Sequence, residues 1–216
     1  MSVVATTKTA LTVGNAVFNS LKTAYQARQE ERVESFFRCI ELRYEVMQES
    51  ERAELEKVLN SDDGKKILAS YVDAITQTSS DRVRMAVALL YCQDTDFQFS
   101  EHEQVQFING VAGITDHMID FYLMAVSQEE IKGNLPYEKR IIREIELDKL
   151  PMENLDGEIV YSYVNELIRR GLLLPEPEDG SMEMYHSENW SISFGTSKRI
   201  IKMSRLISKA DMLLGN

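Results

Sequence analysis

The chain has 216 residues, 44% of them hydrophobic, with only ten glycines and four prolines; it can bury a core, which argues against wholesale disorder and against a sandwich of short strands. Its formal net charge of −11 disfavours a phosphate backbone as partner. No apolar run approaches the roughly 18 residues of a membrane span, the first residues lack a signal-peptide core, and two cysteines are too few for a disulfide framework, so the expected compartment is the cytoplasm.

In residues 1–27, Ala10, Val13, Val17, Leu21 and Ala24 recur at helical spacing. They predict a helix laid on the domain or mobile, with a membrane-surface or self-association helix as the alternative. From residue 28 the composition becomes strongly charged, and Val33, Phe36, Phe37, Ile40, Tyr44 and Met47 form a wide apolar stripe. Ser50 is followed three residues later by Ala53, so no capping box is expected there. Residues 60–64 read as a helix stop and a new start. The next helix, 65–76, turns Ile67, Leu68, Tyr71, Val72 and Ile75 inward. Thr78-Ser-Ser-Asp81 caps a further helix carrying Val83, Ala86, Val87 and Leu90 on one side.

A break at 94–100 precedes one long predicted helix, 100–126, whose Gly110 and Gly113 predict a kink or a close approach. Asn134-Leu-Pro136 marks a boundary. Beyond it the pattern predicts a short amphipathic helix over 137–147 and another over 157–170, stopped by Gly171. Residues 172–174 fit a short buried strand, and Asp179-Gly180 signals a turn in a polar loop. Trp190, Ile192 and Phe194 alternate as a second strand, and 195–197 cap a last helix reaching residue 214. The expected fold is mainly α: a helical bundle over 28–135, then a small winged-helix-like α+β domain over 136–216, with 1–27 as a separate N-terminal helix.

A winged helix raises the question of DNA. The exposed positions of the 157–170 helix would be Glu158, Tyr161, Ser162, Asn165, Glu166 and Arg169, a poor set for reading bases. The loop 175–189 has five acidic residues and no Lys or Arg. The last helix differs: Lys198, Lys202, Arg205 and Lys209 make one basic stripe. It reads as a solvated face or as a docking stripe for an acidic surface, either in residues 1–135 of the same chain or on a second copy. With Arg169 and Arg170 it would supply phosphate contacts if the chain did bind DNA.

Asp94-Thr-Asp96 with Ser100 superficially suggests a calcium loop, but Phe99 stands at the glycine position and Val105 at the twelfth, so calcium is not expected. His117 and Asp120 share a helical face and are read as a surface ion pair. Ser79-Ser80 is read as a cap. Cys39 and Cys92 are read as buried thiols. No catalytic residue, metal or cofactor is expected.

Thr78-Ser-Ser-Asp-Arg82 leading into Ala86-Val-Ala-Leu-Leu90, after the charged helix 28–49, resembles a widespread uncharacterised bacterial family of helical proteins with a winged-helix-like tail. The tail is represented here by Val164-Asn-Glu-Leu167, Gly171-Leu-Leu and Trp190 to Gly195. The likeness covers about residues 28–92 and 157–207, leaves 1–27 and 94–100 outside, and implies no established activity and no catalytic residues. Some members are similar to accessory genes of mobile elements and antiviral systems. The expected function is therefore a non-enzymatic interaction or regulatory protein with a protein partner or a homo-oligomer. A DNA-binding regulator and a membrane-acting effector using residues 3–27 are the alternatives.

Overall fold

A computed structural model describes residues 3–131, 135–176 and 190–215, with residues 3–17 described as backbone only. The chain is mainly α, a helical bundle joined to a small α+β part. Helix α1 runs from Val3 to Val46, continuous through residue 27, and residues 18–28 are exposed along it. It is followed by α2 (Glu49–Asn60), α3 (Asp62–Gln77) and α4 (Asp81–Tyr91). Ser61 ends α2 and caps α3, its hydroxyl accepting from the Gly64 amide at 2.9 Å. Ser80 caps α4 through the Val83 amide, as the sequence predicts. The start of α2 differs from expectation. Its cap is Gln48, two residues earlier than the Ser50 considered, and the Glu51 carboxylate accepts from the Gln48 amide at 2.9 Å to close a capping box.

Helix α4 is the centre of the molecule. Every residue from Val83 to Tyr91 is buried, and α1, α3 and two later helices, α5 (Glu101–Val111) and α8 (Lys198–Leu214), pack around it. The expectation of one apolar side is too narrow here: Met-Ala-Val-Ala-Leu-Leu-Tyr is apolar all round, the pattern of a helix enclosed by others. Ala86 and Ala88 leave room for neighbouring backbones.

The predicted long helix over 100–126 is two helices, α5 (Glu101–Val111) and α6 (Asp116–Ser127). Gly113 has φ +69, a conformation that ends a helix, and the Thr115 hydroxyl then caps α6 through the Met118 amide. Gly110 serves the other predicted purpose. A β-carbon there would lie 2.9 Å from the Arg170 carbonyl and 3.0 Å from the Leu172 side chain, so glycine lets α5 press on the segment after α7.

The predicted helix over 137–147 is instead strand β2 (Glu138–Arg143) and a 3-10 turn, Glu144–Lys149. Strand β2 lies between β1 (Glu130–Ile131) and β3 (Ser191–Thr196), antiparallel to both. Arg140 faces Phe194 and Ile142 faces Ile192 in the register. The isoleucine spacing suits a helix equally well; cross-strand burial of Arg140 and Ile142 decides for the strand.

Helix α7 (Gly157–Arg169) starts at the Asp156 cap and stops at Gly171, φ +71. Leu172 and Leu173 are buried, and Leu174 bridges Gly195 of β3. The predicted turn at Asp179-Gly180 lies outside the described residues. Helix α8 (Lys198–Leu214) is capped by Ser197 and closed by Gly215. One core runs from Phe36 to Ala210 and joins the bundle to the α+β part. The Tyr122 hydroxyl, fully buried, donates to the Ile200 carbonyl at 2.8 Å and ties α6 to α8.

Candidate functional site

The basic stripe of α8 divides. Lys198 and Arg205 are exposed. Lys202 and Lys209 turn onto the segment between α4 and α5. Lys209 Nζ is 2.8 and 2.9 Å from the two Asp94 oxygens and 2.6 Å from Asp96 Oδ2. Lys202 Nζ donates to the Gln98 carbonyl at 2.5 Å, lies 3.2 Å from Glu103 Oε2 and sits 4.2 Å from the centre of the Phe99 ring. Half of the stripe thus meets an acidic surface of its own chain.

Asp94 is 2% exposed and has a second cation, Arg43, also buried, whose Nε is 3.0 Å from Asp94 Oδ2. That Nε is close enough for an ion pair but its N–H is not aimed at the carboxylate. Arg43 Nη2 bonds Glu51 at 2.9 Å. Burial by itself would lower the pKa of Lys209; the hydrogen bonds and charges of Asp94 and Asp96 outweigh it and the net shift is upward. Hydrogen bonding to Lys209 holds the Asp96 carboxyl below its usual range. The two aspartates considered for calcium are therefore paired with protein cations, and among the described residues no group of three His, Cys, Asp or Glu is placed to hold a metal.

Arg169 and Arg170 converge on Glu166. Arg169 is 2.6 and 2.8 Å from its two oxygens, and Arg170 is 2.7 Å from Oε1. These bonds, led by that from Arg169, bring the Glu166 pKa down to about 2. Arg170 also donates to the carbonyls of Gly110 and Ala112 at 3.1 and 2.7 Å, so it closes the C-terminal end of α5. His117 and Asp120 are not an ion pair with each other: the His117 ring meets Tyr163 edge-on at 5.6 Å, and Asp120 bonds Arg82 at 2.6 Å. Arg82 also holds Asp116 at 3.1 Å. Cys39 and Cys92 are buried free thiols, and burial, the leading cause, pushes them up to about 11 and about 12.

Two features escaped the sequence reading. The first is a cavity of about 600 Å³ between α1, the start of α4 and the last turn of α8. One stripe of α1 forms a wall with Arg28, Glu31, Arg32, Ser35, Arg38, Cys39 and Leu42; Ser79, Asp81, Arg84 and Leu214 face it. The lining holds four guanidinium groups against two carboxylates in a chain of net charge −11. The available signal was that Arg28, Arg32 and Arg38 fall on one helical stripe with Glu31, Ser35 and Leu42, at 3- and 4-residue steps, and it was obscured by interleaved glutamates.

The second is an apolar stripe on the projecting part of α1. Phe18, Leu21 and Tyr25 are each 65% exposed. Eighteen residues, five full turns, carry them onto Phe36, Cys39 and Arg43, which are buried in the bundle. The same helical face is thus covered in one half of α1 and uncovered in the other. Spacing in the sequence showed small residues over 10–24; it could not show where the bundle stops covering the helix.

No family of known proteins, no curated protein and no solved structure matches this chain.

Proposed function

We propose that the chain is a non-enzymatic interaction protein that assembles with a second copy of itself through α1. The observation that carries this reading is the stripe of Phe18, Leu21 and Tyr25, three large apolar side chains at the 3–4 spacing of a helix–helix seam. It continues the face that α1 buries inside its own fold. A two-fold pairing of α1 with itself is self-complementary, and antiparallel or parallel pairing satisfies the stripe without a different partner. Two copies of the three side chains expose roughly 800 Å² of apolar surface, which points to a weak, concentration-dependent assembly.

The two buried, unpaired thiols suit a reducing compartment such as the cytoplasm. Among the described residues no helix is long and apolar enough to cross a membrane.

Sedimentation velocity from about 5 to about 200 μM tests the assembly by mass action. The wild type is expected to shift toward dimer with concentration, and Phe18→Glu with Leu21→Glu and Tyr25→Glu is expected to stay monomeric with unchanged helicity. A wild type that remains monomeric throughout, or a triple variant that associates equally, overturns the reading. Flotation of the monomer with anionic liposomes would favour a membrane surface instead.

A further inference from the structure

The arginine-lined cavity has no part in that assembly reading and points to a ligand. Its charged groups are unequally occupied. Arg84 is buried and heavily used: it donates to the Ser35 hydroxyl at 2.9 Å, the Thr78 carbonyl at 2.9 Å and Asp81 at 2.5 Å. Asp81, in turn, accepts from Ser35 at 2.7 Å. These groups line the cavity on the α4 side and are already paired with one another. Arg32 is half-buried and uses one of its five N–H donors on the Thr76 carbonyl. Arg28 and Arg38 are exposed on the same wall, one and two turns of α1 to either side of it. Glu31 is the α1 carboxylate in the lining and offsets one charge. Crowding is felt at Arg32: burial, then the charges of Arg28 and Arg84, lower its pKa. An anion placed among these groups relieves that repulsion.

We propose that this cavity binds a phosphorylated small molecule, with its phosphates paired to Arg28, Arg32 and Arg38 and its carbon skeleton against Leu42 and Leu214. Guanidinium forks match phosphate oxygens two at a time, which a lysine cluster would not. The volume, about 600 Å³, lies in the range of small-molecule sites and well above what a single inorganic anion fills. The two leucines give the site an apolar side that a bare anion does not need. Because Arg84 and Asp81 already satisfy each other, ligand binding leaves the α4 cap undisturbed.

Isothermal titration calorimetry of the full chain with ATP and, separately, with pyrophosphate tests the site. Two variants read different parts of it: Arg28→Gln with Arg38→Gln for the phosphates, and Leu42→Ser for the skeleton. All three positions are exposed, and circular dichroism melting checks that the variants fold. Saturable one-to-one binding of ATP is expected, weakened at least about tenfold by the double arginine variant. Leu42→Ser is expected to weaken ATP and leave pyrophosphate unchanged. The proposal is overturned if ATP gives no saturable heat at low salt, or if the double variant binds as well as wild type. It is also overturned if sodium chloride at matched ionic strength gives the same thermal stabilisation as ATP, or if Leu42→Ser leaves ATP unaffected.

Discussion

At the scale of single residues, Asp94 shows how this acidic chain places its charges. It is buried, yet Lys209 and Arg43 approach it from α8 and α1, so three separate parts of the chain meet at one carboxylate. Removing one member of such a buried group leaves the others uncompensated, at a cost of about 3–5 kcal/mol. Asp94→Ala should therefore lower the melting temperature far more than Asp96→Ala, because Asp96 is exposed and its partner keeps Asp94. Equal melting temperatures for the two variants would show that burial of the cluster contributes little. The thiols make a second residue-scale test. Cys39 and Cys92 are buried, and desolvation opposes the thiolate that must form before reaction. Ellman's reagent at pH 8 is expected to find almost no thiol in the native protein and both after unfolding in guanidinium. Rapid native labelling of Cys92 would mean that the helices around α4 open on the timescale of the assay, whereas labelling of Cys39 alone would report access through the cavity that it lines. The sequence made both residues visible as buried thiols, and it marked Asp94 and Asp96 as a notable pair. It could not show that their partner stands 115 residues away in Lys209.

At the scale of elements, local signals succeeded where the stop or start is written in one or two side chains. Ser80 and Ser197 cap the helices they were expected to cap, Ser61 caps α3 within the stop and new start expected at 60–64, and Gly171 ends α7. The failures share a cause. The break between α5 and α6 rests on Gly113 at positive φ followed by the Thr115 cap, a signal that a continuous apolar period masks. The strand at Glu138–Arg143 has helical spacing and becomes a strand because β3, some fifty residues later, offers it a ladder. Helix α4 was expected to have a free side, and whether a side is free is a property of its neighbours. That enclosure makes a prediction. Leu89 is fully buried on a helix surrounded by four others, so Leu89→Ala leaves a cavity that cannot collapse easily and should cost about 2–5 kcal/mol. Chemical unfolding with an unchanged denaturant slope would measure it. A loss below about 1 kcal/mol would mean that the site relaxes. The candidate cavity was illegible for a related reason: Arg28, Arg32 and Arg38 look like one solvated face until the fold sets Ser79, Asp81 and Leu214 beside it.

At the scale of the whole molecule, the contact between α8 and the acidic segment before α5 sets how stability responds to acid. The Ser100 amide, then burial in opposition, then Lys202 act on Glu103, and the net shift is downward; Lys209 lowers Asp96. A carboxyl whose folded pKa is depressed binds more protons unfolded than folded between the two values. Its contribution is therefore fully present above the unfolded pKa, about 3.9 for Asp and about 4.3 for Glu, and is lost as pH falls through the lower folded value. Acidification from neutral also reduces the self-repulsion of a chain with net charge −11, which acts in the opposite direction. Comparing wild type with Lys202→Met plus Lys209→Met removes most of that common term and leaves the part that comes from the two deleted charges. The double variant should melt lower than wild type at pH 7, since Asp96 and Glu103 have lost their cations and Asp94 retains only Arg43. The gap should hold from pH 7 down to about 4.5 and narrow steadily below it, as Asp96 and Glu103 become protonated in both proteins. Thermal melts across that range supply the measurement. A gap independent of pH would assign the stabilisation to the packing of the lysine stems on Phe97 and Phe99, 5.6 and 4.2 Å from the ammonium groups, and not to charge.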